Sequence, residues 1–73
     1  MNNKTRIEKD IKMFEGNIEK TKNINFTNSQ KKIIELASQY YEDTKFYLKK
    51  GDLFTAFGCI NYAHGLLDSV IKF

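Results

Sequence analysis

The chain has 73 residues, of which 41% are hydrophobic and 29% charged, with a formal net charge of +3. This hydrophobic content is too high for an ordinary disordered tail, and the length suffices for one domain with a marginal core. A single cysteine and a single histidine exclude an internal disulfide framework and the usual cysteine- or histidine-based metal sites. We therefore expect residues 1–73 to form one domain without a cofactor. The absence of proline favours helices with few breaks.

The first helix is predicted over about residues 4–22. Its apolar stripe follows alternating spacings of four and three residues: Ile7, Ile11, Phe14, Ile18 and Thr21. Thr5 followed by Glu8 matches a capping box at the start of this helix. The stripe is narrow and Gly16 interrupts the helix, so this should be the least stable element. In the loop that follows, Ile24 and Phe26 are expected to tuck against the core.

The second helix is predicted over about residues 28–50, with Thr27 and Gln30 forming another capping box. The same alternating spacings recur in its apolar positions: Ile33, Ala37, Tyr40, Thr44 and Tyr47. Phe46 points away from this apolar arc and is expected to be exposed. Gly51 can close the helix in a left-handed conformation, and Asp52 can cap the next helix. Such a short turn makes the second and third helices antiparallel neighbours.

The third helix is predicted over about residues 53–72. Its core positions repeat the same pattern: Leu53, Phe57, Ile60, His64, Leu67 and Ile71. Three segments with an average period of about 3.5 residues predict packing at about +20° in a left-handed bundle. The predicted fold is therefore an all-α, three-helix, up-down-up left-handed bundle.

The opposite side of the third helix is also poor in charge. It carries aromatic and small residues: Phe54, Gly58, Tyr62, Gly65 and Ser69. Each glycine inside a helix costs roughly 1 kcal/mol relative to alanine, so two of them need a reason. Either another backbone approaches this face closely, or the glycines relieve crowding beside Phe54 and Tyr62. The first alternative predicts a homodimer or a protein partner docked on this face.

A polar ridge on the third helix is the candidate for chemistry. Asn61, His64 and Asp68 are spaced by three and four residues, so they lie on one side of the helix. The favoured interpretation is a half-buried His64 that is hydrogen-bonded to Asp68 or to a tyrosine of the second helix. The alternative is a small-molecule or enzymatic site around His64. No phosphate loop, metal-ligand cluster or catalytic set accompanies it, so we expect a protein that is not an enzyme.

The charge pattern and the termini bear on partners and location. Pairs such as Glu8 with Lys12 and Lys31 with Glu35 are typical of solvated helix faces. A nucleic-acid surface is the less favoured alternative, and it would use Lys31, Lys32, Lys45, Lys49 and Lys50. No apolar leader follows Met1, and the longest apolar run, around residues 56–60, is too short for a membrane span. With the lone Cys59 suited to a reducing compartment, we expect a soluble cytoplasmic protein.

The segment from residue 47 to residue 68 carries a specific motif. A Gly-Asp turn at residues 51–52 precedes Ala-Phe-Gly-Cys-Ile-Asn-Tyr-Ala-His-Gly-Leu-Leu-Asp at residues 56–68. It resembles the signature of a family of short archaeal proteins, domain of unknown function 357, over about residues 33–70. The resemblance implies a small helical bundle and an archaeal source, and it brings no established activity. It also implies that the family pattern includes Asp52, Asn61, Tyr62, His64, Gly65 and Asp68.

Overall fold

Three α-helices form the part of the chain that the computed structural model describes, residues 2–71. The helices are α1 (Asn3–Lys20), α2 (Asn28–Lys50) and α3 (Leu53–Val70), and a turn of 3-10 helix at Thr21–Asn23 follows α1. The predicted all-α three-helix fold is confirmed, and the bounds of α2 match the prediction. The α-helical part of α1 ends two residues early, because the chain tightens into the 3-10 turn. The helix α3 ends at Val70, and the predicted end at Lys72 lies outside the described residues.

The start of α1 differs from the expected capping box. Asn2 is the N-cap, and its side-chain oxygen accepts a hydrogen bond from the backbone N–H of Thr5 at 2.7 Å. Thr5 therefore lies inside the helix, and the predicted pairing of Thr5 with Glu8 is wrong. Asparagine is as good an N-cap as threonine, so the helix begins at the earlier of the two sites.

The turn between α2 and α3 has the predicted form. Gly51 adopts a left-handed conformation with φ of 83°, which a residue without a side chain adopts at no steric cost. The N–H of Gly51 donates to the carbonyl of Leu48 and that of Asp52 to the carbonyl of Tyr47, at 3.1 and 3.0 Å. These two bonds make a Schellman motif. The Asp52 carboxylate then caps α3 by accepting from the N–H of Thr55 at 3.1 Å.

Small buried side chains occur on both α2 and α3, the two helices with the most extensive contact in the described chain. Ala37 and Thr44 of α2 and Ala56 and Ala63 of α3 have no exposed surface. Because the distance between two helices depends on the side chains at the contact, these residues let the backbones of α2 and α3 approach closely. The buried Thr44 hydroxyl donates to the carbonyl of Tyr40 at 2.8 Å, so its polar atom is satisfied within its own helix.

Large side chains attach α1 to this pair. Ile7 and Phe14 are fully buried or nearly so, and the Phe14 ring stacks on Tyr41 of α2 with centroids 5.0 Å apart. Arg6 lies over the ring of Phe57, near the start of α3. Asp10 contacts His64, which lies seven residues, or about two turns, further along α3. Residues later in α1 thus contact residues later in α3, so the two helices run in the same direction. This gives the predicted up-down-up arrangement.

The loop between α1 and α2 uses one apolar anchor. Phe26 packs against the core, as expected, whereas Ile24 remains 47% exposed, so its predicted burial is wrong. Within residues 2–71, no helix has both the length and the hydrophobicity that a membrane span needs.

We predict that Phe14→Ala lowers the free energy of unfolding by about 3–5 kcal/mol, because it leaves a cavity at the junction of all three helices. Met13→Ala is the matched control, since Met13 is 53% exposed. Its effect should stay within about 0.5 kcal/mol. Urea denaturation followed by circular dichroism measures both values. Equal losses in the two variants would contradict the assigned core.

Candidate interaction surface on α3

One side of α3 is covered by neither α1 nor α2, and we call it the outer face. All five residues predicted there are exposed: Phe54, Gly58, Tyr62, Gly65 and Ser69. Phe54 is the most prominent of them, with 90% of its surface exposed, and Tyr62 is 53% exposed. Asn61 and Asp68 lie along the α1 side of the same face and are also exposed. At 90% exposure, Phe54 contributes almost nothing to packing within the described residues 2–71.

Charge is unevenly distributed among the helices. Lysine, arginine, aspartate and glutamate are spread along α1 and α2, whereas Asp68 is the only such residue in α3. The outer face is therefore both exposed and almost uncharged. Depletion of charged residues together with enrichment of aromatic ones distinguishes the centres of protein interfaces from the rest of a protein surface.

An open groove of about 490 Å³ runs along the N-terminal half of the outer face, above Gly58. Thr55 and Cys59 form part of the lining. Four aromatic residues form the rest of its walls: Tyr40, Phe54, Phe57 and Tyr62. The rings of Tyr40 and Tyr62 meet edge to face with centroids 4.7 Å apart, which fixes the wall on the α2 side. The groove thus combines an apolar lining with a glycine floor.

Phe57 belongs to this surface although the sequence pattern placed it in the core, whereas Tyr40 packs against the core as expected and also lines the groove. Phe57 is 37% exposed at the junction with α1, where the Arg6 guanidinium lies 5.6 Å from the centre of its ring. The close contact through Ala56 and Ala63 orients α3 so that Phe57 lies at the edge of the core. A helical wheel at 100° per residue already separates Phe57 from those alanines, whereas the 3.5-residue repeat does not.

Nothing within residues 2–71 explains the two glycines of the outer face. A Cβ atom built on Gly58 or on Gly65 meets nothing within 4 Å, apart from adjacent residues and the local helix backbone. Phe54 and Tyr62 therefore do not crowd them, and no other helix of the described chain approaches them. The interpretation that they relieve crowding is wrong. The alternative in which another molecule approaches this face remains.

His64 makes a different contact from the one predicted. Its Nε2 atom lies 2.9 Å from the carbonyl oxygen of Asp10, so the ring N–H donates to the backbone of α1. The prediction of a hydrogen bond to Asp68 or to a tyrosine of α2 is wrong, because His64 faces α1. The edge of the imidazole also meets the Phe14 ring at 5.7 Å. His64 thus joins α1 to α3, while Asn61 and Asp68 point to solvent beside it.

Cys59 is half-buried on the α2 side of the groove. Burial raises the pKa of its thiol above the ordinary value, and the negative charges of Asp43 and Asp52 raise it further. A raised pKa leaves less thiolate at neutral pH, which is the opposite of what a nucleophilic cysteine needs. Across the described part of the chain, no three His, Cys, Asp or Glu side chains come together as metal ligands would.

The lysines considered for nucleic-acid binding do not form one cluster. Lys31 and Lys49 lie at opposite ends of α2, about 27 Å apart at 1.5 Å per residue. Lys45 forms an ion pair with Glu42 at 3.0 Å, and the Lys50 ammonium lies over the ring of Phe46. Acidic residues thus interrupt the positive charge along α2.

We predict that Gly58→Ala and Gly65→Ala each raise the free energy of unfolding by about 0.5–1 kcal/mol, because alanine favours the helix and its methyl group meets open space. Gly51→Ala is the control and should be destabilising, because its φ of 83° strains any residue with a side chain. Denaturation at low micromolar concentration measures all three. Destabilisation by Gly58→Ala would restore the interpretation based on crowding.

We also predict that iodoacetamide alkylates Cys59 more slowly in the folded protein than in urea-unfolded protein at pH 8, because the raised pKa reduces the thiolate fraction. The midpoint of the rate against pH should shift downward in Asp43→Asn, which removes one of the two negative charges. Mass spectrometry of quenched samples follows the reaction. A midpoint at or below that of the unfolded chain would contradict the burial described here.

Comparison with known families extends the resemblance seen in the sequence. The model of a family described as "Protein of unknown function (DUF357)" matches residues 9–73. The match covers α2, α3 and most of α1, so it reaches further toward the N-terminus than the resemblance over about residues 33–70 indicated. No curated protein matches the chain significantly. Since the family match spans most of the sequence, the chain belongs to the DUF357 family.

Proposed function

We propose that this protein is a non-enzymatic protein-interaction module that binds its partner through the outer face of α3. The observation that carries the proposal is the exposure of Phe54, at 90%, beside the open groove above Gly58. The cytoplasm is the proposed location, supported by the free thiol of Cys59, which suits a reducing compartment.

The energetics favour a partner on this face over permanent exposure. Transfer of a phenylalanine side chain from water to a protein interior contributes about 1.5–3 kcal/mol. Phe54 and Tyr62 are anchors of the kind that dominate binding energy when they fill a pocket on a partner. The Tyr40 ring supports Tyr62 from behind, so little side-chain entropy remains to be lost there.

The charge distribution favours this surface over the lysines of α2. Nucleic-acid binding draws on clustered positive charge that releases counterions from phosphates. The lysines of α2 are separated along the helix and interrupted by Glu35 and Glu42. The outer face of α3 has almost no charge, which suits an apolar partner surface.

Site-specific photo-crosslinking tests the proposal. Purified protein with benzoylphenylalanine in place of Phe54 or Tyr62 is irradiated in a lysate of the source cells. Phe46 is the matched control, because it is 53% exposed like Tyr62 but lies on α2 among charged residues. We expect discrete adducts from positions 54 and 62, and none from position 46.

The same experiment can contradict the proposal in two ways. Equal adduct patterns from all three positions would show nonspecific capture by any exposed aromatic side chain. No adduct from positions 54 and 62, with intact folding by circular dichroism, would remove the outer face of α3 as an interaction site.

A further inference from the structure

We propose that the occupant of the outer face is the α3 helix of a second copy of this chain, packed antiparallel, with each exposed aromatic ring over a glycine of the other copy. This inference rests on the proposed function and names its partner. It follows from the order of aromatic residues and glycines along the face, from the position of Asp68, and from the empty space above both glycines.

The order of residues makes the face self-complementary. In an antiparallel pair of helices, residues at equal distances on either side of the midpoint face each other. Phe54 and Gly65 have their midpoint between Cys59 and Ile60, while Gly58 and Tyr62 have theirs at Ile60. One antiparallel register therefore brings Phe54 over Gly65 of the second copy and Tyr62 over its Gly58, at both symmetry-related places.

A parallel pair does not have this property. It would set Phe54 against Phe54 and Gly58 against Gly58. The two phenylalanine rings would then hold the helices apart and leave the space between the glycines unfilled. Close packing requires that protrusions meet gaps, as ridges fit grooves between helices. A twofold axis perpendicular to α3 satisfies this requirement and gives the closed symmetry usual for homodimers.

The single charged side chain of the helix favours the same arrangement. In the antiparallel register the two Asp68 residues are about 24 Å apart along the helix axes, at a rise of 1.5 Å per residue. Each lies near the α2–α3 turn of the other copy, where Lys49 and Lys50 outnumber Asp52. A parallel pair would place the two Asp68 carboxylates side by side, where like charges repel.

The dimensions of the face set the expected strength. From Phe54 to Ser69 the face is about 22 Å long and about 10 Å wide, given the helix rise and diameter. This is less than the roughly 800 Å² per partner of a standard stable interface. The flanking rings of Tyr40 and Phe57 have to contribute, and we expect a dissociation constant of about 10–500 µM.

Sedimentation equilibrium between about 10 µM and 1 mM brackets this affinity range. The weight-average mass of the wild type should rise from the 8.6 kDa of one chain toward twice that value. Gly58→Leu and Gly65→Leu should weaken association about tenfold or more, because the added side chain fills the space for the opposing ring. Gly16→Leu should associate as the wild type does, because Gly16 is an exposed glycine on α1 with equally open space.

Single cysteines in a Cys59→Ala background test the register. Asn61→Cys lies next to the proposed axis, so mild oxidation should link it to itself. Ser69→Cys should stay unlinked, because its two copies would be about 27 Å apart along the helices. That distance is far beyond the reach of a disulfide. Linkage of both variants would overturn the antiparallel arrangement in favour of a parallel one.

Failure of this inference can be separated from failure of the proposed function. A wild type that stays at 8.6 kDa up to 1 mM overturns the inference, as does equal association of all three leucine variants. If the adducts from positions 54 and 62 then have masses other than that of two chains, the interaction module stands with a different partner. If those positions give no adduct, both proposals fail.

Discussion

The close contact between α2 and α3 determines the rest of the structure. Fully buried alanines, with no side chain beyond Cβ, allow the two backbones to approach along their length. The Schellman motif at Gly51 and the Asp52 cap fix the antiparallel start of this contact at one end. The fully buried Ile60 and Leu67 fill the core, whereas the aromatic residues of α3 remain exposed: Phe54, Phe57 and Tyr62.

The helix α1 packs against only one of the other sides of α3. Phe14 packs against His64 of α3, and the imidazole N–H donates a hydrogen bond to the Asp10 carbonyl of α1. A third helix cannot also cover the opposite side, where Phe54 and Tyr62 lie. The exposed aromatic surface is thus a geometric consequence of three helices arranged around an apolar α3, and it carries almost no charge.

Much of this organisation was predictable from local sequence rules. The capping residues of α2 and α3, the Gly51 turn and the exposure of Phe54 follow from residue type and helical period. The exposure of Phe57 was not predictable in the same way, because the orientation of α3 depends on which residues touch α2. The hydrogen-bond partner of His64 was missed because every residue has a backbone carbonyl. The residue type therefore does not indicate which carbonyl of α1 accepts the bond.

The alanines at the α2–α3 contact and the glycines of the outer face are both small, but folding constrains them differently. A larger residue at Ala56 or Ala63 has to push two backbones apart, so the requirement to fold is sufficient to retain alanine there. Folding places no such restriction on Gly58 or Gly65, where added atoms meet solvent. Across the sequences of the family, alanine retained at 56 and 63 would therefore record the fold, whereas glycine retained at 58 and 65 would record an encounter with another molecule.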